Sequence, residues 1–169
     1  MMELYLLRHG IAAERGDLDY KNDADRPLIA KGRDELRRTA AAMRKMKLRF
    51  DVILSSPILR ARQTAEIVAA ELKLKKRLEF SDNLKHGSDA KTLVAEINRL
   101  KPASESILLV GHEPDMGELI SFLATGKTDA GFTLKKGGLA KLEIANKLSA
   151  GRCATLLWLL TPKLMARMA

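Results

Sequence analysis

The sequence predicts an α/β fold: a three-layer α/β/α sandwich around a mostly parallel central sheet. Three observations carry this. Short apolar runs rich in Leu, Ile and Val alternate with segments whose apolar residues recur every three or four positions. That alternation is the pattern of a parallel sheet covered on both faces. Several of the apolar runs also lead directly into cations, imidazoles or glycine: Leu7-Arg8-His9-Gly10, Leu54-Ser55-Ser56 followed by Arg60, and Val110-Gly111-His112. Open α/β sheets place their ligands at the carboxyl ends of strands.

The elements follow in order. Residues 3–8 read as the first strand, and 11–30 as a polar loop with no sustained period. In 31–46 the spacing of Leu36, Ala40, Met43 and Met46 predicts a helix. Residues 50–54 form the second predicted strand, and Pro57 sits where a helix can begin without losing a hydrogen bond. Ala61, Ala65, Val68 and Leu72 mark one side of a helix over 58–72, with Ser56 as its expected cap. A short strand at 78–80 and a helix over 89–100, capped by Ser88 or Asp89, come next. A buried strand at 107–110 and a helix at 116–124 follow, then a rim loop at 125–133. Two antiparallel strands, 138–144 and 153–160, are joined through 146–151. The closing Trp158 to Pro162 reads as a last strand stopped by proline.

Composition narrows the function classes. The 169 residues suffice for one domain, 1–169, with a substantial core, and no repeat or linker interrupts them. Cys153 is the sole cysteine, so no internal disulfide is possible, and a cytoplasmic setting is expected. Its place in an apolar run suggests a small buried filler. With Glu3 inside the first strand, no signal peptide is expected, and no run reaches the roughly 20 apolar residues of a membrane span. The formal charge is +9, concentrated at Arg44, Lys45, Lys47 and Arg49 and at Lys73, Lys75, Lys76 and Arg77. Aromatics are only 4% of residues and do not interleave with these clusters, so nucleic-acid binding is not expected. The positive field instead suits an anionic substrate.

Two arginines and two histidines at the strand ends make a plausible site for a phosphoryl group. Arg8 and Arg60 offer forked donors that lysine cannot copy, and His112 adds a third donor. His9 can attack phosphorus only through an unprotonated nitrogen, a state that flanking arginines favour. Arg62 lies two positions from Arg60, so on a helix it faces elsewhere. His9, His86 and His112 are also enough for a zinc site, but two arginines beside His9 would repel the ion. No metal and no other cofactor is expected.

The motifs resemble the histidine phosphatase superfamily, and among its members the small SixA-type phosphohistidine phosphatases. The resemblance spans nearly the whole chain. It rests on Arg8-His9-Gly10, Arg26-Pro27-Leu28 with Gly32, the Ser56 to Thr64 element, Gly111-His112 and the Trp158 to Pro162 close. It implies a phosphoglycerate-mutase-like fold, with His9 as the nucleophile that forms a covalent phosphohistidine. It also implies a phosphate pocket made of Arg8, Arg60 and His112. Mutases and many phosphomonoesterases of this fold carry a carboxylate, after the second helix, that protonates the leaving oxygen. Here that segment reads Ser81-Asp82-Asn83-Leu84-Lys85-His86-Gly87-Ser88, with no carboxylate evident at the usual place. His86 and Asp82 are the candidate donors. A weak donor favours a P–N bond, whose imidazole leaving group needs a proton less than an alkoxide does. The resemblance further implies that the substrate is a histidine-phosphorylated signalling protein. The alternatives are a general small-molecule phosphomonoesterase, a mutase, which the short chain disfavours, and a phosphate-binding module without catalysis.

Overall fold

In a computed structural model that describes residues 1–100 and 104–169, six strands form one mixed sheet in the order β3-β2-β4-β1-β5-β6. The strands are β1 (Met2–Arg8), β2 (Val52–Ser55), β3 (Leu78–Phe80), β4 (Ser106–Gly111), β5 (Leu139–Ile144) and β6 (Thr155–Leu160). β1, β2, β3 and β4 pair in parallel, while β5 runs antiparallel to both β1 and β6.

The helices are α1 (Ala30–Lys45), α2 (Leu59–Glu71), α3 (Ala90–Ile97), α4 (Asp115–Thr125) and α5 (Pro162–Met168). Alternation along β1 divides the core between the two faces of the sheet. Leu4 and Leu6 join a cluster containing Leu93, Val94 and Ile97 of α3 and Leu119, Ile120 and Leu123 of α4. Tyr5 and Leu7 join Ala40 and Met43 of α1, Ala61, Ala65 and Val68 of α2, and Met165 of α5. The molecule is the α/β sandwich that the sequence predicts.

The topology places a site. β1 and β4 are neighbours with paired carboxyl ends, Arg8 opposite Gly111. After β1 the chain crosses to β2, on the far side of β4; after β4 it crosses to β5, on the far side of β1. Connections leaving in opposite directions open a crevice at those two strand ends.

Local details depart from the sequence reading. Ser56 does not cap α2. The residue before that helix is Ile58, which makes no side-chain cap, while Ser56 Oγ accepts from the Ile58 N–H at 3.3 Å. The third helix stops at Ile97 rather than at 100, although Asp89 caps it as expected by accepting from Thr92 N–H. Cys153 lies half-buried before β6, its thiol beside the Ser149 backbone. Pro162 does more than stop β6. It opens α5, whose cap is Thr161 Oγ1 accepting from Leu164 N–H.

Candidate active site

β1 ends in Arg8, and the next residue, His9, is only 5% exposed. His9 Nδ1 lies 2.7 Å from the Gly10 carbonyl oxygen. A carbonyl only accepts, so Nδ1 carries the proton and Nε2 holds a free lone pair. Arg60 Nε donates to that Nε2 at 3.3 Å. Burial, followed by the charges of Arg60, Arg8 and Lys136, pushes the imidazole pKa down to about 3, against the opposing Gly10 hydrogen bond. His9 is therefore neutral throughout the physiological range.

Close packing fixes the backbone behind His9. Gly10 N–H donates to Thr64 Oγ1, which in turn donates to the Arg60 carbonyl. The start of α1 presses against the segment after His9: a Cβ on Gly32 would stand 2.2 Å from the Ile11 carbonyl oxygen. These contacts tie β1, α1 and α2 together around the imidazole.

Arg60 occupies the first turn of α2 and is 1% exposed. Its Nη1 donates to the Asp23 carbonyl at 2.8 Å, and its Nη2 pairs with Asp23 Oδ2 at 2.9 Å. Asp23 also binds Arg26 through Oδ1 at 2.7 Å. Burial works against its ionised form, yet the hydrogen bonds and charges of Arg26 and Arg60 bring its pKa down to about 2. Asp23 is thus the counter-ion of the site arginine. Residue type offered no signal for it among the acidic residues of the 11–30 loop, since the pairing exists only after α2 is packed.

Arg8 Nη1 donates to the Leu134 carbonyl at 2.8 Å. The Leu134 N–H donates to Glu113 Oε1 at 2.8 Å, so one residue's backbone couples Arg8 to Glu113. Burial raises the Glu113 pKa. His112, fully buried at the end of β4, has its Nε2 2.9 Å from Ser56 Oγ. Ser56 Oγ accepts from Ile58 N–H and its hydroxyl can donate to His112 Nε2; in that tautomer the ring proton is on Nδ1. Burial, then His86, His9 and Arg60, push the His112 pKa down to about 2.

Arg8 Nε and His112 Nδ1 are both buried and have no hydrogen-bond partner among the described residues. Buried donors are seldom left unpaired. Two such donors flanking His9 make a site built for acceptor oxygens.

The remaining candidates separate clearly. His86 joins the group, with Nε2 2.9 Å from Arg60 Nη2 and its ring centroid 4.2 Å from that of His112. Asp82 does not: its side chain is 79% exposed and pairs with Lys85. A 3-10 turn at Asp82–Leu84 buries Leu84 and turns the carboxylate outward, so Asp82 is not brought to the site. Arg62 pairs with Glu66 on the exposed side of α2. No group of three or more His, Cys, Asp or Glu among the described residues is arranged to hold a metal ion.

The side chains open onto a cleft of about 570 Å³ lined by Arg8, His9, Arg60, His86, Glu113 and Lys136 among others. Arg15 and Arg26 extend the positive lining. The model of the histidine phosphatase superfamily, branch 1, matches residues 4–103. The chain belongs to this superfamily.

Within the superfamily it is of the SixA type, and it is a phosphatase. It is 35% identical over 133 residues to the phosphohistidine phosphatase SixA of Escherichia coli K12, covering 78% of this chain and 80% of that one. An uncharacterized protein of Picosynechococcus is 40% identical over 164 residues, 96% of this chain and 98% of the other. The structure of the protein histidine phosphatase SixA complexed with tungstate superposes with a TM-score of 0.82 at 31% identity, covering 96% and 98% of the two chains. The sandwich is accordingly phosphoglycerate-mutase-like. No helix among the described residues is long and apolar enough to cross a membrane.

Proposed function

We propose that this histidine phosphatase hydrolyses phosphohistidine on a protein partner in two steps, through a phosphoryl group carried on His9. The observation that supports this most strongly is the His9 tautomer. Nδ1–H is held by the Gly10 carbonyl, and the lone pair of Nε2 faces Arg60. That is the state a nitrogen nucleophile needs.

In the first step Nε2 attacks phosphorus while the bond to the leaving nitrogen breaks. Arg60, Arg8 and His112 donate to the phosphoryl oxygens. For this the Arg60 guanidinium exchanges part of its contact with Asp23 for the incoming dianion. Water then attacks the phosphorus, and His9 leaves as a neutral imidazole. Phosphoryl transfer asks the protein chiefly for position and charge, and the cationic cleft supplies both without a metal. Likeness to SixA is the support for a phosphoprotein substrate, and a cytoplasmic signalling protein fits that reading.

The test is hydrolysis of a phosphohistidine peptide, in the presence of a chelator, by the wild-type protein and by His9→Ala. Turnover should survive chelation, and a phosphoenzyme should be trapped from wild type alone. Turnover by His9→Ala near the wild-type rate would overturn the mechanism, as would its abolition by chelator. Binding of phosphate with no turnover of any phosphorylated compound would instead identify a binding module.

A further inference from the structure

The segment after the second helix carries no carboxylate into the cleft; it carries an imidazole. We infer that His86, positioned by Asp115, is the proton donor to the leaving group, and that it extends this site from P–N bonds to P–O phosphomonoesters. The inference rests on the His9 chemistry proposed above.

One carboxylate organises the segment. Asp115, at the start of α4, accepts from Gly87 N–H through Oδ1 at 2.9 Å, and its Oδ2 lies 3.3 Å from His86 Nδ1. Gly87 has φ +71, a conformation that suits glycine and lets the chain turn back onto Asp115. An ionised carboxylate only accepts, so Nδ1 bears a proton and Nε2 becomes the working nitrogen. Nε2 lies 2.9 Å from Arg60 Nη2, while His9 Nε2 lies 3.3 Å from Arg60 Nε. The two imidazoles therefore meet the same Nε–Nη2 edge of one guanidinium. A phosphoryl group seated on Arg60 comes within reach of both, His9 as nucleophile and His86 as donor.

His86 differs from the other two histidines in access. Its side chain is 38% exposed, whereas His9 and His112 are buried. It can exchange protons with solvent between turnovers. The groups that face it are Arg60 of α2 with its partner Asp23, His112 beyond β4, and Asp115 of α4. Across the cleft stand Arg8, Glu113 and Lys136. Asp115 is the carboxylate against His86 Nδ1, and a phosphoryl dianion seated on Arg60 offsets the cation beside Nε2.

The protons balance over the cycle. As the His9 Nε2–P bond forms and the P–O bond breaks, imidazolium Nε2–H passes its proton to the departing alkoxide, which leaves as an alcohol. Neutral His86 then takes a proton from the water that attacks phosphorus. The His9–P bond breaks, phosphate departs, and His86 is again the imidazolium.

The test compares three substrates of different leaving group: O-phosphoserine, p-nitrophenyl phosphate and a phosphohistidine peptide. Wild type should hydrolyse all three. His86→Gln should lower kcat on O-phosphoserine on the order of 100-fold, the usual scale of a general acid, and the other two by less than about tenfold. Asp115→Asn should give a smaller loss with the same leaving-group bias. Equal losses on all three substrates would overturn the inference, as would a loss in Asp115→Asn without the leaving-group bias or a wild type inert toward O-phosphoserine. Its failure is distinguishable from failure of the His9 mechanism: His86→Gln still forms phosphoenzyme from p-nitrophenyl phosphate, and His9→Ala forms none.

Discussion

Arg60 Nε donates to His9 Nε2 across 3.3 Å, joining the first turn of α2 to the residue that follows β1. The contact sets a permanent cation beside the free lone pair of a neutral imidazole. Its other guanidinium nitrogens reach Asp23 and His86, so one buried side chain gathers three segments distant in sequence.

Removing that fork separates two arginines that lie two positions apart. Arg60→Ala is expected to weaken inhibition by inorganic phosphate by roughly 10- to 100-fold, the scale of about 1.5–3 kcal/mol for hydrogen bonds to charged groups. Arg60→Lys should recover little, because a point charge lacks the fork. Arg62→Ala removes only an exposed pair with Glu66 and should leave both activity and stability at the wild-type level. Equal effects at the two positions in a phosphate-inhibition titration would contradict this assignment.

Asp23 offsets the buried charge of Arg60. Cutting a fully buried pair costs about 3–5 kcal/mol, but Asp23 is 37% exposed and water compensates in part. Asp23→Ala should lower stability by about 1–2 kcal/mol in urea unfolding. A variant as stable as wild type would show that Arg60 is carried by the Asp23 backbone carbonyl and the rest of the fold.

Acid should destabilise the protein through its buried histidines. In the unfolded chain His9 and His112 take up protons near pH 6.5, but in the fold they resist to about 3 and about 2. Between those limits the unfolded state binds more protons, so their contribution is complete above pH 6.5 and is lost as pH falls toward the folded values. Asp23 adds a further loss as pH drops from its ordinary 3.8 toward about 2. The midpoint of thermal unfolding should fall between pH 7 and pH 4, and less steeply in a His9→Asn, His112→Asn double variant. Equal slopes in the two proteins would refute this origin.

Gly32 tests the packing behind His9. An added Cβ would meet the Ile11 carbonyl oxygen at 2.2 Å, so the start of α1 must move away from the segment that follows Gly10. Gly32→Ala should cost about 1–3 kcal/mol, the usual range for overpacking, and should lower kcat with it. Calorimetry alongside kinetics checks both. An unperturbed variant would mean that α1 does not brace the His9 backbone.

The sequence by itself determined the layered α/β architecture and the strands that bear Arg8, His9 and His112. Strand and helix periods are local, and each apolar run here ends close to its polar residues. It also singled out Arg60, just beyond the second apolar run, and His86, through the segment in which the resemblance places the proton donor. The tertiary structure alone decided which carboxylates matter. Asp23, Glu113 and Asp115 look like any other acidic residues, since their partners come from distant segments: Arg60 on α2, the Leu134 peptide, and His86 with Gly87. It also turned Asp82 outward to Lys85 and moved Ser56 from helix cap to partner of His112. α5 was hidden for the same reason: seven residues carry too little periodicity to read, and the helix is held by packing Met165 against the layer of α1 and α2. Local pattern writes the elements, but charge pairing and the direction of a side chain depend on contacts that exist only once the sheet has closed.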